Sequence, residues 1–214
     1  MTELITSGRI PPVIAVGIDS ASAALGYNAA GESPDKGEER AREFLAYPDP
    51  FSWPGLRDVR GAEFPAFLEH VVMPTIANKY RVMTGAANSA LWGDSYAGSA
   101  ALYIAIHYPL LFDKMIIESP SLQVGNGQLL RDTESITHVP QRIALGIGTA
   151  EESEAAAPGY NAAWLAMIRK LTENLMAASY LPPQVQLTVA DGAQHTYPDF
   201  GKRMAAGLLF IYKP

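Results

Sequence analysis

The chain has 214 residues, 48% of them apolar and 18% charged, with a net charge of -6. That profile fits one globular domain spanning 1–214 and excludes a disordered or transmembrane chain. The acidic balance, with no basic run, argues against a nucleic-acid partner, and the lack of cysteine rules out disulfides, thiolate catalysis and Cys-based metal sites.

The first residues show no apolar stretch of signal-peptide length, and no run approaches the roughly 20 apolar residues of a membrane span. A cytoplasmic protein is therefore expected. Val13 to Ile18 is a continuous apolar run after Pro11-Pro12, the signature of a strand buried on both faces. Residues 19 to 60 read as a long irregular stretch, with a short helix over Glu38 to Leu45. Its aromatic residues Tyr27, Phe44, Tyr47, Phe51 and Trp53 either line an acyl pocket or pack.

Phe64, Phe67, Leu68, Val71, Val72 and Ile76 recur at helical spacing, which predicts a helix from about Glu63 to Lys79, kinked at Pro74. A strand at Asn88 to Trp92 leads through Gly93-Asp94-Ser95-Tyr96-Ala97-Gly98 into an almost uncharged helix, Tyr96 to His107. Lys114 to Glu118 is a strand broken by Ser119-Pro120-Ser121, and Gly125 to Val139 is loop-like. Arg142 to Ile147 is a strand, followed by a long helix after Pro158. Val185 to Val189 is the last strand, and Asp199 to Tyr212 the last helix. Strands alternating with helices predict an α/β fold, a mostly parallel sheet with helices on both faces.

Reactive groups in such sheets gather at the carboxyl ends of the strands. Ser95, the pair Glu151 and Glu152, and His195 all follow a predicted strand. A serine hydroxyl becomes a nucleophile when a histidine takes its proton and a carboxylate orients that histidine. Ser95 stands in G-x-S-x-A-G, one residue away from the full G-x-S-x-G elbow, because Ala97 occupies the fifth position. A helix-capping serine is the bland alternative. Glu151 is favoured over Glu152 as the acid. Asp191 is expected to shape a turn with Gly192, and Asp94 to line the pocket. His70, His107 and His138 are expected to be structural. No metal or cofactor pattern is present.

These residues resemble the esterase family of α/β-hydrolases that includes enterochelin-esterase-like hydrolases, feruloyl esterases, S-formylglutathione hydrolases and mycolyltransferases. "SGRIPPVIAVGID", "REFLAYP", "FPAFLEHVVMPTIANKYRV", "GDSYAGSAALYIAIHYPLLFDKMIIESPSL", "GIGTAEES" and "DGAQHTYPDFGKRM" carry the resemblance, in family order. It implies Ser95 as nucleophile, His195 as base, Glu151 as acid and the Tyr96 backbone N–H as an oxyanion donor. It further implies an α/β-hydrolase-like fold that is N-terminally shortened, lacking a strand between those read at Val13 and Ser89. The sheet is then expected to pair those two neighbours directly or to borrow a strand from another chain. The second oxyanion donor is expected from the backbone of Ile18 or Asp19.

A small-molecule ester is the implied substrate. Acyl transfer by the same serine and a non-catalytic binding domain are the alternative readings, and a homo-oligomer is left open.

Overall fold

The computed structural model describes residues 1–20, 26, 34–35, 37–178 and 184–213. Tyr27 lies outside the described residues. Among the described residues, four parallel strands form the sheet in the order β1 (Ala90–Asp94), β2 (Lys114–Glu118), β3 (Arg142–Gly148) and β4 (Val185–Ala190). The helices, in chain order, are α1 (Thr2–Thr6), α2 (Glu38–Phe44), α3 (Phe64–Phe67), α4 (Met73–Lys79), α5 (Tyr96–His107), α6 (Val124–Asp132), α7 (Tyr160–Ala177) and α8 (Tyr197–Ile211). The register sets Gly93 beside Ile117, Ile117 beside Leu145, and Leu145 beside Leu187.

Side-chain alternation divides the core between the two faces. Met115, Ile117, Ile143, Leu145 and Ile147 join the larger core, with α5 (Tyr96–His107) and α7 (Tyr160–Ala177) packed on it. Ile116 and Ala144 face a smaller cluster built with Leu4 and Ile10 at the N-terminus and with α8 (Tyr197–Ile211). The central strands read as unbroken apolar runs because both their faces are covered.

The expected strand over Val13 to Ile18 does not form. The segment carries no ladder hydrogen bonds, and Ile14 and Val16 are 50% and 45% exposed. An apolar run becomes a strand only when a neighbour completes its ladder. Here β1 is paired with β2 alone and forms the edge of the described sheet, so the two expected neighbours do not close onto each other. Ile18, at the end of the segment, packs against the larger core.

The predicted helix over Glu63 to Lys79 is two short α-helices, Phe64–Phe67 and Met73–Lys79, joined by a π-turn at Leu68–Val72. Pro74 cannot donate a backbone hydrogen bond, and the widened turn lies just before it. Within the stretch read as loop, Val124–Asp132 is helical, although Gly125, Asn126 and Gly127 take left-handed angles.

Candidate active site

The site is assembled at the carboxyl ends of the strands. Ser95 follows β1 directly and has φ 56° and ψ -122°, a backbone strain of the kind that concentrates at functional positions. Its N–H donates to the Glu118 carbonyl at 3.0 Å, and its own carbonyl accepts from the Ser99 N–H at 3.0 Å. Close backbone approach makes the turn. A Cβ on Gly93 would overlap the Ala97 carbonyl, and one on Gly98 would sit 2.9 Å from the Glu118 carbonyl oxygen. The two positions that require glycine have it, and the alanine at 97 is compatible with the turn.

The Tyr96 N–H lies in the first turn of α5, where backbone N–H groups have no acceptor within the helix. The Tyr96 side chain is tied down from the opposite side. Its hydroxyl donates to Asp49 Oδ2 at 2.9 Å and accepts from the Trp53 indole N–H at 3.1 Å. Asp49 is fully buried, and its Oδ1 accepts the Phe51 and Ser52 N–H groups at 3.0 and 3.1 Å. Burial, reinforced by Asp49, leaves the Tyr96 hydroxyl pushed up to about 12.

Glu151 and His195 meet. The Nδ1 atom of His195 lies 2.7 Å from Glu151 Oε2, while Glu151 Oε1 accepts the Ser119 hydroxyl at 2.6 Å and the Gly148 N–H at 2.5 Å. Burial alone would raise the Glu151 carboxyl. The hydrogen bonds from His195, Ser119 and Gly148 outweigh it and hold the carboxyl below its usual value. Glu152 turns elsewhere, accepting the Ser153 N–H at 2.8 Å.

The acid and histidine loops are stitched together. The Ala150 N–H donates to the Ala193 carbonyl at 3.0 Å, and the Thr149 hydroxyl bridges Asp191 and the Gly192 N–H. The imidazole lies between Trp164 and Phe200, with ring centroids 5.2 and 5.0 Å away. The Trp164 N–H is anchored on the Pro120 carbonyl at 2.8 Å.

Among the described residues, neither the Ser95 hydroxyl nor Nε2 of His195 has a hydrogen-bond partner. With Nδ1 committed to Glu151, Nε2 is the nitrogen left to accept a proton. Asp94 is half-buried near the same rim. Burial raises its carboxyl, and Arg40 and His195 pull it back. An open polar cleft of about 570 Å³ runs from His195 and Glu151 past Thr149, Glu152, Asn161 and Thr196.

The other candidates fall outside this cluster. Asp191 serves the turn, His70 is exposed, and His138 lies beside Thr137. His107 stacks on Tyr103 with centroids 4.3 Å apart. Of the loop aromatics, Phe44 meets Phe64 edge to face, Tyr47 donates to Asp132, and Trp53 holds Tyr96, so these three pack; Phe51 is 71% exposed. No group of side chains among the described residues could hold a metal ion.

Sequence reasoning missed Asp49, Ser119, Trp164 and the buried pair Glu118–Arg203. A readable signal existed for Arg203, a lone cation on the buried stripe of α8 with Phe200, Gly207, Leu208 and Ile211.

A parallel sheet carrying a strained serine after one strand, with a carboxylate–imidazole pair after two others, has the α/β-hydrolase-like design. The chain belongs to the family described as "Putative esterase", whose model matches residues 1–211. Solved structures share the fold. The enterobactin esterase FES from Shigella flexneri, crystallised with 2,3-dihydroxy-N-benzoyl-glycine, is 19% identical with a TM-score of 0.71; the match covers 100% of this chain and 47% of that one. The BES protein from Bacillus cereus is 18% identical, with a TM-score of 0.68 and coverage of 100% and 75%. Siderophore hydrolase EstA from Aspergillus nidulans is 21% identical, with a TM-score of 0.59 and coverage of 79% and 66%. This chain thus spans about half the length of the Shigella esterase. No curated protein matches the sequence. No described helix is long and apolar enough to cross a membrane.

Proposed function

We propose that this protein hydrolyses a small-molecule carboxylic ester through an acyl-enzyme on Ser95. The observation that carries the reading is the 2.7 Å contact between His195 and Glu151 on the same rim as the strained Ser95. Ser95 Oγ attacks the ester carbonyl carbon and passes its proton to His195 Nε2. Glu151 stays ionised and holds the Nδ1–H, which fixes the tautomer and favours the imidazolium. The tetrahedral oxyanion accepts the Tyr96 N–H, with the Ile18 N–H as second donor. Collapse expels the alcohol, which takes the proton from Nε2. A water then gives a proton to Nε2 and attacks the acyl carbon, and the acid leaves as Ser95 regains its proton.

Turnover of p-nitrophenyl butyrate by the wild type, lost in Ser95→Ala, is the expected result. Equal rates from both proteins would end this mechanism. The relatives' names make a siderophore ester the first natural substrate to assay.

One observation favours a second reading, a non-catalytic hydrolase-like binding domain. Residues 13–18, which include the second oxyanion donor Ile18, stand outside the described sheet and are largely exposed. Loss of one such donor costs about 100- to 1000-fold in rate. Failure of a fluorophosphonate to label Ser95 in the folded protein selects this reading.

A further inference from the structure

We propose that Ser119 and Arg203 are positioning residues that lock the Glu151 carboxylate, so that Oε2 is left to His195 alone. This rests on the hydrolase reading above and extends it to groups that touch neither substrate nor the reacting atoms.

Ser119 follows β2 as Ser95 follows β1, and it also has a positive φ, 42°. Its N–H donates to the Gly146 carbonyl at 2.8 Å, which holds the strained backbone in place. Glycine would adopt this conformation without the strain that a side chain brings there. What serine adds is the hydroxyl, which is fully buried and 2.6 Å from Glu151 Oε1.

Arg203 fixes where that hydroxyl proton goes. The guanidinium is only a donor, and its Nη2 lies 3.3 Å from Ser119 Oγ. The hydroxyl oxygen therefore accepts from Arg203, and its one proton is turned onto Glu151. Arg203 itself is held by Glu118, through a contact of 2.6 Å from Nε to Oε2. Its Nη2 stays 3.8 Å from Glu151 Oε1, outside hydrogen-bond distance. Glu118 thus keeps the cation from taking the acid away from the imidazole.

Stability alone does not account for this arrangement. A buried ion pair is a weak stabiliser, and an apolar pair of similar volume often serves a fold as well. Here the pair also leaves Arg203 Nη1 buried without a partner. Room for it is made in the sheet, since a Cβ on Gly146 would overlap the Glu118 carboxylate.

The test compares Ser119→Ala and Arg203→Lys with the wild type by two readouts. The first is p-nitrophenyl butyrate kinetics. Both variants are expected to lose kcat by roughly 10-fold or more, a fraction of the 10²–10⁴ that acid–base catalysis supplies, with KM unchanged. The second is the far-downfield NMR signal of the His195 Nδ1 proton, which needs no substrate. It is expected to be sharp in the wild type and broadened into exchange with water in both variants, because the carboxylate can then rotate.

Thermal melting checks that the variants fold. Arg203→Lys keeps the charge, so it stands in if Ser119→Ala does not fold. A sharp, unshifted signal with wild-type kcat in either folded variant overturns the proposal. If the wild type turns over no ester, the hydrolase reading fails, and the NMR comparison alone decides whether these residues lock Glu151.

Discussion

Gly93→Ala tests whether the nucleophile turn depends on backbone contact. The added Cβ would lie against Ala97 and 2.9 Å from the Gly98 nitrogen. All of these are backbone atoms of the first turn of α5, so no side chain can swing aside. Relief requires the helix start to move away from β1. Forcing a methyl into a packed site costs about 1–3 kcal/mol. At about 2–4 °C per kcal/mol for a chain of this size, the melting temperature should fall by roughly 2–12 °C.

The same movement displaces the Tyr96 N–H and the Ser95 hydroxyl together. A shift of about 1 Å at reacting groups costs on the order of 100-fold in rate. Differential scanning fluorimetry and p-nitrophenyl butyrate kinetics measure the two effects on one preparation. Gly55→Ala is the control, because a Cβ there meets nothing within 4 Å. A Gly93→Ala protein that melts and turns over ester like the wild type would refute the close-approach argument.

Three further outcomes are expected. Gly201 lies exposed inside α8 with open space around its Cα, so Gly201→Ala should stabilise the protein by about 0.5–1 kcal/mol, read as a higher melting temperature with unchanged kinetics. The folded Glu151 carboxyl is held below its unfolded value, so its contribution to stability is present above the unfolded pKa and lost as pH falls through the folded one. Glu151→Gln should therefore flatten the acid limb of a urea-denaturation series below about pH 4.3, and an acid limb as steep as the wild type's would contradict this. Asp49→Asn keeps the volume but replaces one acceptor oxygen with a donor, so Tyr96 loses one of its two anchors; kcat should fall by about 10-fold with KM held, as a partial loss of the oxyanion donor requires.

The central strands and α5 were legible because their burial is written locally. Lys114 to Glu118 and Tyr96 to His107 are mostly apolar runs that are largely buried, and they form with those boundaries. Val13 to Ile18 has the same signature, yet it is not a strand. An apolar run shows that a segment can be buried, whereas a strand also needs a partner with free backbone groups in register. The placement of Ser95, Glu151 and His195 at one rim of the sheet was legible because each follows a strand end.

Asp49, Ser119 and Arg203 were hidden for the opposite reason. The bond between Arg203 and Ser119 spans 84 positions, and that between Tyr96 and Asp49 spans 47. No local pattern announces such pairs. Ser119 did lie in a stretch that ended a strand, but a serine beside a proline marks a break far more often than a support.

The site therefore rests on two supports that meet at one place. Loop residues Asp49 and Trp53 hold Tyr96, and with it the start of α5. The turns after β3 and β4 hold Glu151 and His195 against each other. The end of β2 joins these halves. The Glu118 carbonyl accepts the Ser95 N–H, the Glu118 carboxylate holds Arg203, and the next residue, Ser119, bonds Glu151. Two consecutive residues thus touch the supports of the nucleophile and of the acid. Changes at Asp49 and at Ser119 lie in separate halves and share no partner, so their effects on kcat should multiply. Removing the Glu118 carboxylate acts on the acid half alone, because a freed Arg203 is drawn to Glu151 Oε1, 3.8 Å away, while the Glu118 carbonyl still accepts the Ser95 N–H.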